Sequence, residues 1–281
     1  MVTPTAPIER PQIAPTHTAD AILRFEDVSI AFEHPVLDRI SFRLAHGETK
    51  ILLGEAGTGK TLILKLALGL IKPDSGRIDV LGEPISEMRE EDMYSLRRKV
   101  GMVFQESALF DSLTVEENVA YRLIEETGKV TDEIHARVIE ALEFVELGQT
   151  YNLFPSELSG GMRRRVAIAR AIITQPEILL YDSPTGGLDP VTSNTIIELV
   201  VKQRDVYQTG SLLVTHRLQD AFTMASHYFD RNLNKMVPLE DGSSRNMHTT
   251  FLILRDHKII FEGTAPDLLR CHDPYIREYL S

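Results

Sequence analysis

The segment Gly54 to Thr61 reads GEAGTGKT, a glycine-rich run that closes on a lysine and a hydroxyl. Gly54, Gly57 and Gly59 let backbone N–H groups curl around phosphate oxygens without side-chain bulk, with Thr58 and Leu62 completing the loop and the turn after it. Lys60 is placed to reach the β and γ phosphates of a nucleotide, and Thr61 to offer its hydroxyl to Mg²⁺. Apolar Ile51 to Leu53 precedes the run and helix-forming Leu62 to Leu70 follows it. That is the strand, loop, helix order in which a helix N-terminus adds its partial positive charge to the same anion. The chemistry expected is binding of a nucleoside triphosphate and transfer of its terminal phosphoryl group.

A phosphate loop alone serves kinases, GTPases, helicases and motors, so a second feature has to discriminate. Leu158 to Met162 reads LSGGM, and Ser159, Gly160 and Gly161 open the run Met162 to Ile173. Taken alone, Ser159 is an N-cap with glycine neighbours. Taken with the phosphate loop, the chain resembles the ABC-type ATPases. The resemblance implies that Ser159, Gly160 and Gly161 bind the γ-phosphate of an ATP held by a second subunit, two ATPs being sandwiched between subunits arranged head to tail. It implies that Asp182, after the apolar strand Ile178 to Tyr181, is the Walker B carboxylate beside Mg²⁺. Gln105, after the strand Val100 to Phe104, matches the glutamine that touches Mg²⁺ at the hinge to a helical subdomain. His216, after the strand Ser211 to Val214, matches the switch histidine on the γ-phosphate. Gly187, Leu188, Asp189 and Pro190 match the D-loop, which crosses the dimer interface. Phe32 falls where the family sets an aromatic ring against adenine, although in the alternating strand Leu23 to Phe32 it could equally be a core residue.

One position departs from the family. The residue after the Walker B aspartate is usually a glutamate that activates the attacking water, and here it is Ser183. A hydroxyl can hydrogen-bond a water but carries no charge near neutral pH with which to draw off its proton, and a positioned base contributes ~10²–10⁴-fold. ATP binding is therefore expected to survive, because Lys60, Thr61, Asp182 and the glycines are present, and hydrolysis is expected to be slow. Glu55, on the outward part of the phosphate loop, and Asp189, at the interface, are not convincing substitutes.

Composition narrows the remaining classes. The chain has 281 residues, 43% of them hydrophobic, and a net charge of −11, which argues against a general affinity for nucleic acid. The basic triplet Arg163, Arg164 and Arg165 is expected as a solvated or interface-facing stripe. No apolar run approaches the ~18 residues that cross a bilayer, so transport would need a separate permease. Cys271 is the single cysteine, consistent with a reducing cytoplasm. Residues 1–20, with Pro4, Pro7, Pro11 and Pro15, are expected as a flexible tail.

These elements imply an α/β fold: a P-loop NTPase core of ABC type with an antiparallel β-subdomain and an inserted helical subdomain. Strands near 23–32, 40–46 and 49–53 and a turn at 73–76 place the β-subdomain and phosphate loop in 21–104. Helical periodicity over Val115 to Glu126 and Asp132 to Leu147 marks 105–157 as the helical subdomain. The core resumes over 158–281, with strand 178–181, helix 191–204, strand 211–214, helix 217–226, a strand pair near 250–262 and a C-terminal helix. Residues 227–248 are polar and turn-rich, and are expected as an exposed insertion.

Within the ABC ATPases, residues 103–123 and 158–172, with Met162 in place of the usual glutamine, look like the ATP-binding subunit of Mla/Mce-type lipid transporters. That resemblance implies a pair of ATPase subunits, here a homodimer, beneath an integral membrane permease, with an MCE-domain substrate-binding protein, at the cytoplasmic face of the inner membrane. Apolar Leu109 and Phe110 could receive a short permease helix. Importers and exporters of small molecules share every motif named above and form the alternative, ahead of ABC ATPases of translation or DNA repair, which usually carry two cassettes or long insertions.

Overall fold

The period-two alternation of the strands divides the molecule into two hydrophobic cores. In the computed structural model, which describes residues 21–240 and 248–280, β3 (Thr49–Leu53) lies between β8 (Gly210–Val214) and β11 (Thr249–Arg255), parallel to both. β7 (Ile178–Asp182) and β6 (Val100–Val103) extend the sheet beyond β8, and β12 (Lys258–Gly263) closes the other side as an antiparallel edge. Ile51, Leu53, Leu179, Tyr181, Leu213, Phe251 and Ile253 belong to one core, and Leu52, Leu180, Leu212, Val214, Leu252 and Leu254 to the other. All are 2% exposed or less, as expected of parallel strands covered on both faces.

The second core is closed by a smaller antiparallel sheet and by α1 (Lys60–Ala67), which buries Ile63, Leu64, Leu66 and Ala67. In that sheet β1 (Leu23–Ala31) pairs with β2 (Pro35–Leu44) and β4 (Ser75–Val80), and β5 (Glu83–Pro84) lies at the edge. Phe25 and Phe42 stack across β1 and β2 with ring centroids 4.6 Å apart. The turn before β4 is fixed by Asp74, whose carboxylate accepts from the Ala31 N–H at 2.7 Å. Gly76 has φ 87, and a Cβ there would lie 2.4 Å from the Asp27 carbonyl oxygen, so only glycine lets β4 approach β1. α2 (Glu90–Arg97), not expected from the sequence, buries only Met93 and Leu96.

The first core is covered by the helices. α3 (Val115–Thr127) starts at a reciprocal capping box between Thr114 and Glu117, and α4 (Asp132–Phe144) at the Thr131 cap. Both pack on α5 (Gly160–Ile172), and the Arg137 guanidinium donates to the Ile173 carbonyl at 2.8 Å. α6 (Pro190–Tyr207) and α7 (Leu218–Ser226) complete the layer.

The stretch 227–248, expected as an exposed insertion, is more ordered than that in its described part. β9 (His227–Asp230) and β10 (Lys235–Pro238) form a hairpin that buries Phe229. The Phe229 N–H donates to Asp205 and the Met236 N–H to Glu198, both on α6, so half-buried backbone donors are met by helix carboxylates. The expected tail, 1–20, and residues 241–247 lie outside the described residues. The chain closes with α8 (Ala265–Arg270) and α9 (Pro274–Leu280). Among the described residues no helix is long and apolar enough to cross a membrane.

Candidate active site

β3, β6, β7 and β8 end at the same edge of the sheet, the edge at which ligands of open parallel sheets gather. β3 runs into the phosphate loop, β7 ends in Asp182, β8 leads to His216 and β6 to Gln105. The loop's shape depends on three glycines with φ of 146, 80 and 96, at Gly54, Gly57 and Gly59. A Cβ on Gly54 would sit 2.4 Å from the Leu254 carbonyl oxygen, and one on Gly59 would meet Val36 at 2.9 Å. Gly59 caps α1 with no side-chain hydrogen bond, so the first N–H groups of that helix are left for an anion.

Lys60 folds back over this loop. Its ammonium donates to the Gly54 carbonyl at 2.9 Å, to the Thr58 hydroxyl at 3.3 Å and to the Glu55 carbonyl. Burial holds its pKa below the ordinary value, and the carboxylates of Asp182 and Glu55 work in the opposite direction. The Thr61 hydroxyl donates to the Asp182 carboxylate at 3.0 Å. A hydroxyl beside a buried carboxylate is the protein half of a hard-cation site, with phosphate oxygens and water as the remainder. Among the described residues no group of three His, Cys, Asp or Glu could hold a metal unaided. The residues thus fit a divalent cation that arrives with a nucleotide.

Ser183 is buried at φ 46, in the left-handed region. Its N–H donates to the Val214 carbonyl at 2.9 Å, and its carbonyl accepts from the Gly186 N–H at 2.9 Å and from Arg164 at 3.2 Å. Arg164 also donates to the Gly186 carbonyl at 3.4 Å. It is 5% exposed, and burial lowers its pKa. The expectation of a solvated or interface-facing arginine stripe is therefore corrected at this residue. Arg163 and Arg165 likewise donate to the carbonyls of Leu158 and Val145, at 2.8 and 3.0 Å. Arg217 clamps the same turn from the other side, donating to Thr185, Leu188 and Ser193, and the buried Thr185 hydroxyl donates to Asp220. None of Arg164, Thr185, Arg217 and Asp220 was singled out from the sequence for this role. Their positions within or beside the named motifs were the available signal.

Gln105 is exposed just beyond β6, and a Cβ on Gly186 would lie 3.7 Å from its Cγ, which puts it beside the Ser183 turn. His216 is exposed between β8 and α7. Ser159 caps α5, its hydroxyl accepting from the Met162 N–H at 3.2 Å. Gly160 is exposed, whereas a Cβ on Gly161 would meet Thr192 Cγ2 at 2.4 Å. The LSGG segment therefore lies against the 186–192 turn. The Asp189 carboxylate caps α6, accepting from the Val191 and Thr192 N–H groups at 3.0 Å each and from the Thr192 hydroxyl. Those bonds, the Thr192 hydroxyl first, hold its pKa below the ordinary 3.8. Phe32 is 65% exposed at the end of β1, which removes the core reading of its ring.

A phosphate loop, a hydroxyl–carboxylate pair and an N-terminal LSGG helix on one α/β scaffold define an ATP-binding cassette. The chain belongs to the ABC transporter family, whose profile matches residues 37–186. It is 34% identical over 245 residues to the intermembrane phospholipid transport system ATP-binding protein MlaF of Escherichia coli K12, covering 87% of this chain and 82% of that protein. It is 33% identical over 246 residues to the probable ribonucleotide transport ATP-binding protein mkl of Mycobacterium leprae, covering 88% of this chain and 64% of the relative. The dimeric, post-hydrolysis structure of the cassette MJ0796 bound to ADP and Pi superimposes with a TM-score of 0.71 at 27% identity, covering 86% of this chain and 98% of that one. The chain is accordingly an ATP-binding, ATP-hydrolysing subunit of the ABC transporter family.

Proposed function

We propose that this ATPase powers movement of phospholipids or similarly hydrophobic molecules between bacterial envelope membranes, and that Ser183 slows its cycle. The observation that carries the lipid reading is the likeness to MlaF over 87% of the chain. In the reading, Lys60 and the loop N–H groups hold the ATP phosphates, Thr61, Asp182 and Gln105 hold Mg²⁺, His216 contacts the γ-phosphate and Phe32 stacks on adenine. The adjacency of Thr61 and Asp182 at 3.0 Å supports the metal assignment, and the exposed Phe32 ring the adenine assignment. Ser159, Gly160, Gly161 and Asp189 serve the ATP of a second copy in a homodimer. The ATPase pair sits at the cytoplasmic face of the inner membrane through its permease, and an MCE-domain substrate-binding protein completes the assembly. Phe110, 42% exposed and packed at a tilt against Tyr121 with ring centroids 4.6 Å apart, is a foothold for the permease, and buried Asn118 fixes its loop by bonding both the N–H and the carbonyl of Phe110.

The test is steady-state ATP hydrolysis by the chain with its co-expressed permease, as native, Ser183→Glu and Lys60→Ala. Slow native turnover that Ser183→Glu raises by about tenfold or more, with Lys60→Ala inactive, is the expected pattern. An ordinary native rate left unchanged by Ser183→Glu would show that another group positions the water. The name of the mycobacterial relative favours a ribonucleotide cargo as the second reading. Mass spectrometry of the purified complex separates the two, since bound phospholipid supports the first and bound ribonucleotide other than ATP or ADP the second.

A further inference from the structure

The C-terminal helix reaches across the molecule to the phosphate loop. α9 is anchored by Ile276, which is buried, and is capped by Asp273, whose carboxylate accepts from the Tyr275 and Ile276 N–H groups at 2.9 and 3.1 Å. From that base two hydroxyls point at the start of the loop. The Tyr279 hydroxyl accepts from the Gly54 N–H at 3.3 Å and lies 3.5 Å from the Gly54 carbonyl, to which it donates. The Tyr275 hydroxyl donates to the Glu55 carboxylate at 3.2 Å, and the Arg255 guanidinium sits 3.9 Å over the Tyr275 ring.

The Gly54 carbonyl is also where Lys60 rests, at 2.9 Å. The ammonium has three donors and spends them on Gly54, Glu55 and Thr58, so to reach a phosphate it must give up at least one of these acceptors, of which this carbonyl is one. Gly54 is buried, and a buried carbonyl that loses its only donor carries a desolvation cost. With the Tyr279 hydroxyl in place the carbonyl keeps a donor and the peptide keeps its direction, while Gly54 itself, at φ 146, has no side chain to restrain it.

We propose that Tyr279 is a positioning residue for ATP binding: it holds the Gly54 peptide in the phosphate-accepting shape so that Lys60 can exchange a loop carbonyl for the nucleotide. The proposal rests on ATP as the ligand of this loop. Tyr275, through Glu55, braces the same segment from its outer side. The C-terminal helix is thereby part of the nucleotide site of its own subunit.

The experiment is equilibrium titration of the purified full-length chain with a fluorescent ATP analogue, together with ATP-dependent kinetics and nucleotide-free thermal melting, for the native chain, Lys60→Ala and Tyr279→Phe. Tyr279→Phe keeps the ring and deletes only the hydroxyl. The expected result is an analogue Kd and an ATP KM raised about three- to tenfold, the size of one hydrogen bond, with kcat at saturating ATP and the nucleotide-free melting temperature held near native values. A Kd within twofold of native overturns the proposal, whether or not the melting temperature falls. Failure of the native chain to bind the analogue, or undiminished binding by Lys60→Ala, overturns the nucleotide assignment of the loop itself.

Discussion

Replacing Gly161 with alanine should destabilise the chain by an amount the structure sets. The added Cβ would sit 2.4 Å from Thr192 Cγ2, about 1 Å short of ordinary contact at 3.4 Å. Thr192 cannot simply turn away, because its hydroxyl and its N–H are both committed to the Asp189 carboxylate. Overpacking of this kind costs ~1–3 kcal/mol. Alanine recovers up to ~1 kcal/mol of helix propensity, less so near the N-terminus of α5. The net loss is about 1–2 kcal/mol, which lowers the melting temperature by roughly 2–4 °C per kcal/mol for a chain near this size. Thr192→Ser deletes the obstructing methyl and retains the hydroxyl that bonds Asp189. The double variant should therefore melt close to the native chain, and the double-mutant cycle should show a favourable coupling of at least ~1 kcal/mol. Thermal and urea denaturation of all four proteins measure this. Gly161→Ala melting within 1 °C of native, or no rescue by Thr192→Ser, would refute the view that Gly161 is retained for helix-to-helix approach.

Two further outcomes follow from the site. Phe32→Ala should weaken ATP binding by about two- to tenfold with unchanged thermal stability, since the ring is exposed and its stacking is worth ~0.5–1.5 kcal/mol; equal Kd values for the two proteins would leave adenine without this partner. The Asp189 cap, whose folded pKa lies below 3.8, contributes stability that is fully present above the ordinary carboxylate range and is lost as pH falls through the folded value. Asp189→Asn keeps the cap and removes the titration, so the stability difference from native should shift between about pH 5 and about pH 3, and a constant difference across that range contradicts the assignment.

Most of the architecture could be read from residue patterns because the elements are locally consistent. The strands at 49–53, 178–182 and 210–214 each carry a run of apolar residues and are buried throughout, and α3 and α6 carry their own caps at Thr114 and Asp189. α2 escaped notice because EEDMYSLR buries only Met93 and Leu96 and carries no long apolar stripe. β2 begins at Pro35 rather than near residue 40 because its first half is paired to β1 through an irregular register that breaks strict alternation. The hairpin over 227–238 was masked by polar composition, its anchorage coming from Glu198 and Asp205 on a distant helix. At the site, local motifs show the phosphate loop and Asp182. Arg164, Arg217 and Tyr279 act through contacts with backbone carbonyls far along the chain, for which no side-chain pattern exists.

Arg164 gives α5 a property that packing alone would not supply. The helix presents Ser159 at its tip and, little more than one turn later, a planar guanidinium that spans the carbonyls of Ser183 and Gly186. A displacement at the tip is thus carried to the Ser183 turn by a stiff fork with two prongs. Lysine, a single point charge on a flexible stem, could grip one carbonyl but not hold both at a set spacing. The tip of α5 and the Ser183 turn of one subunit are thereby a single rigid link apart.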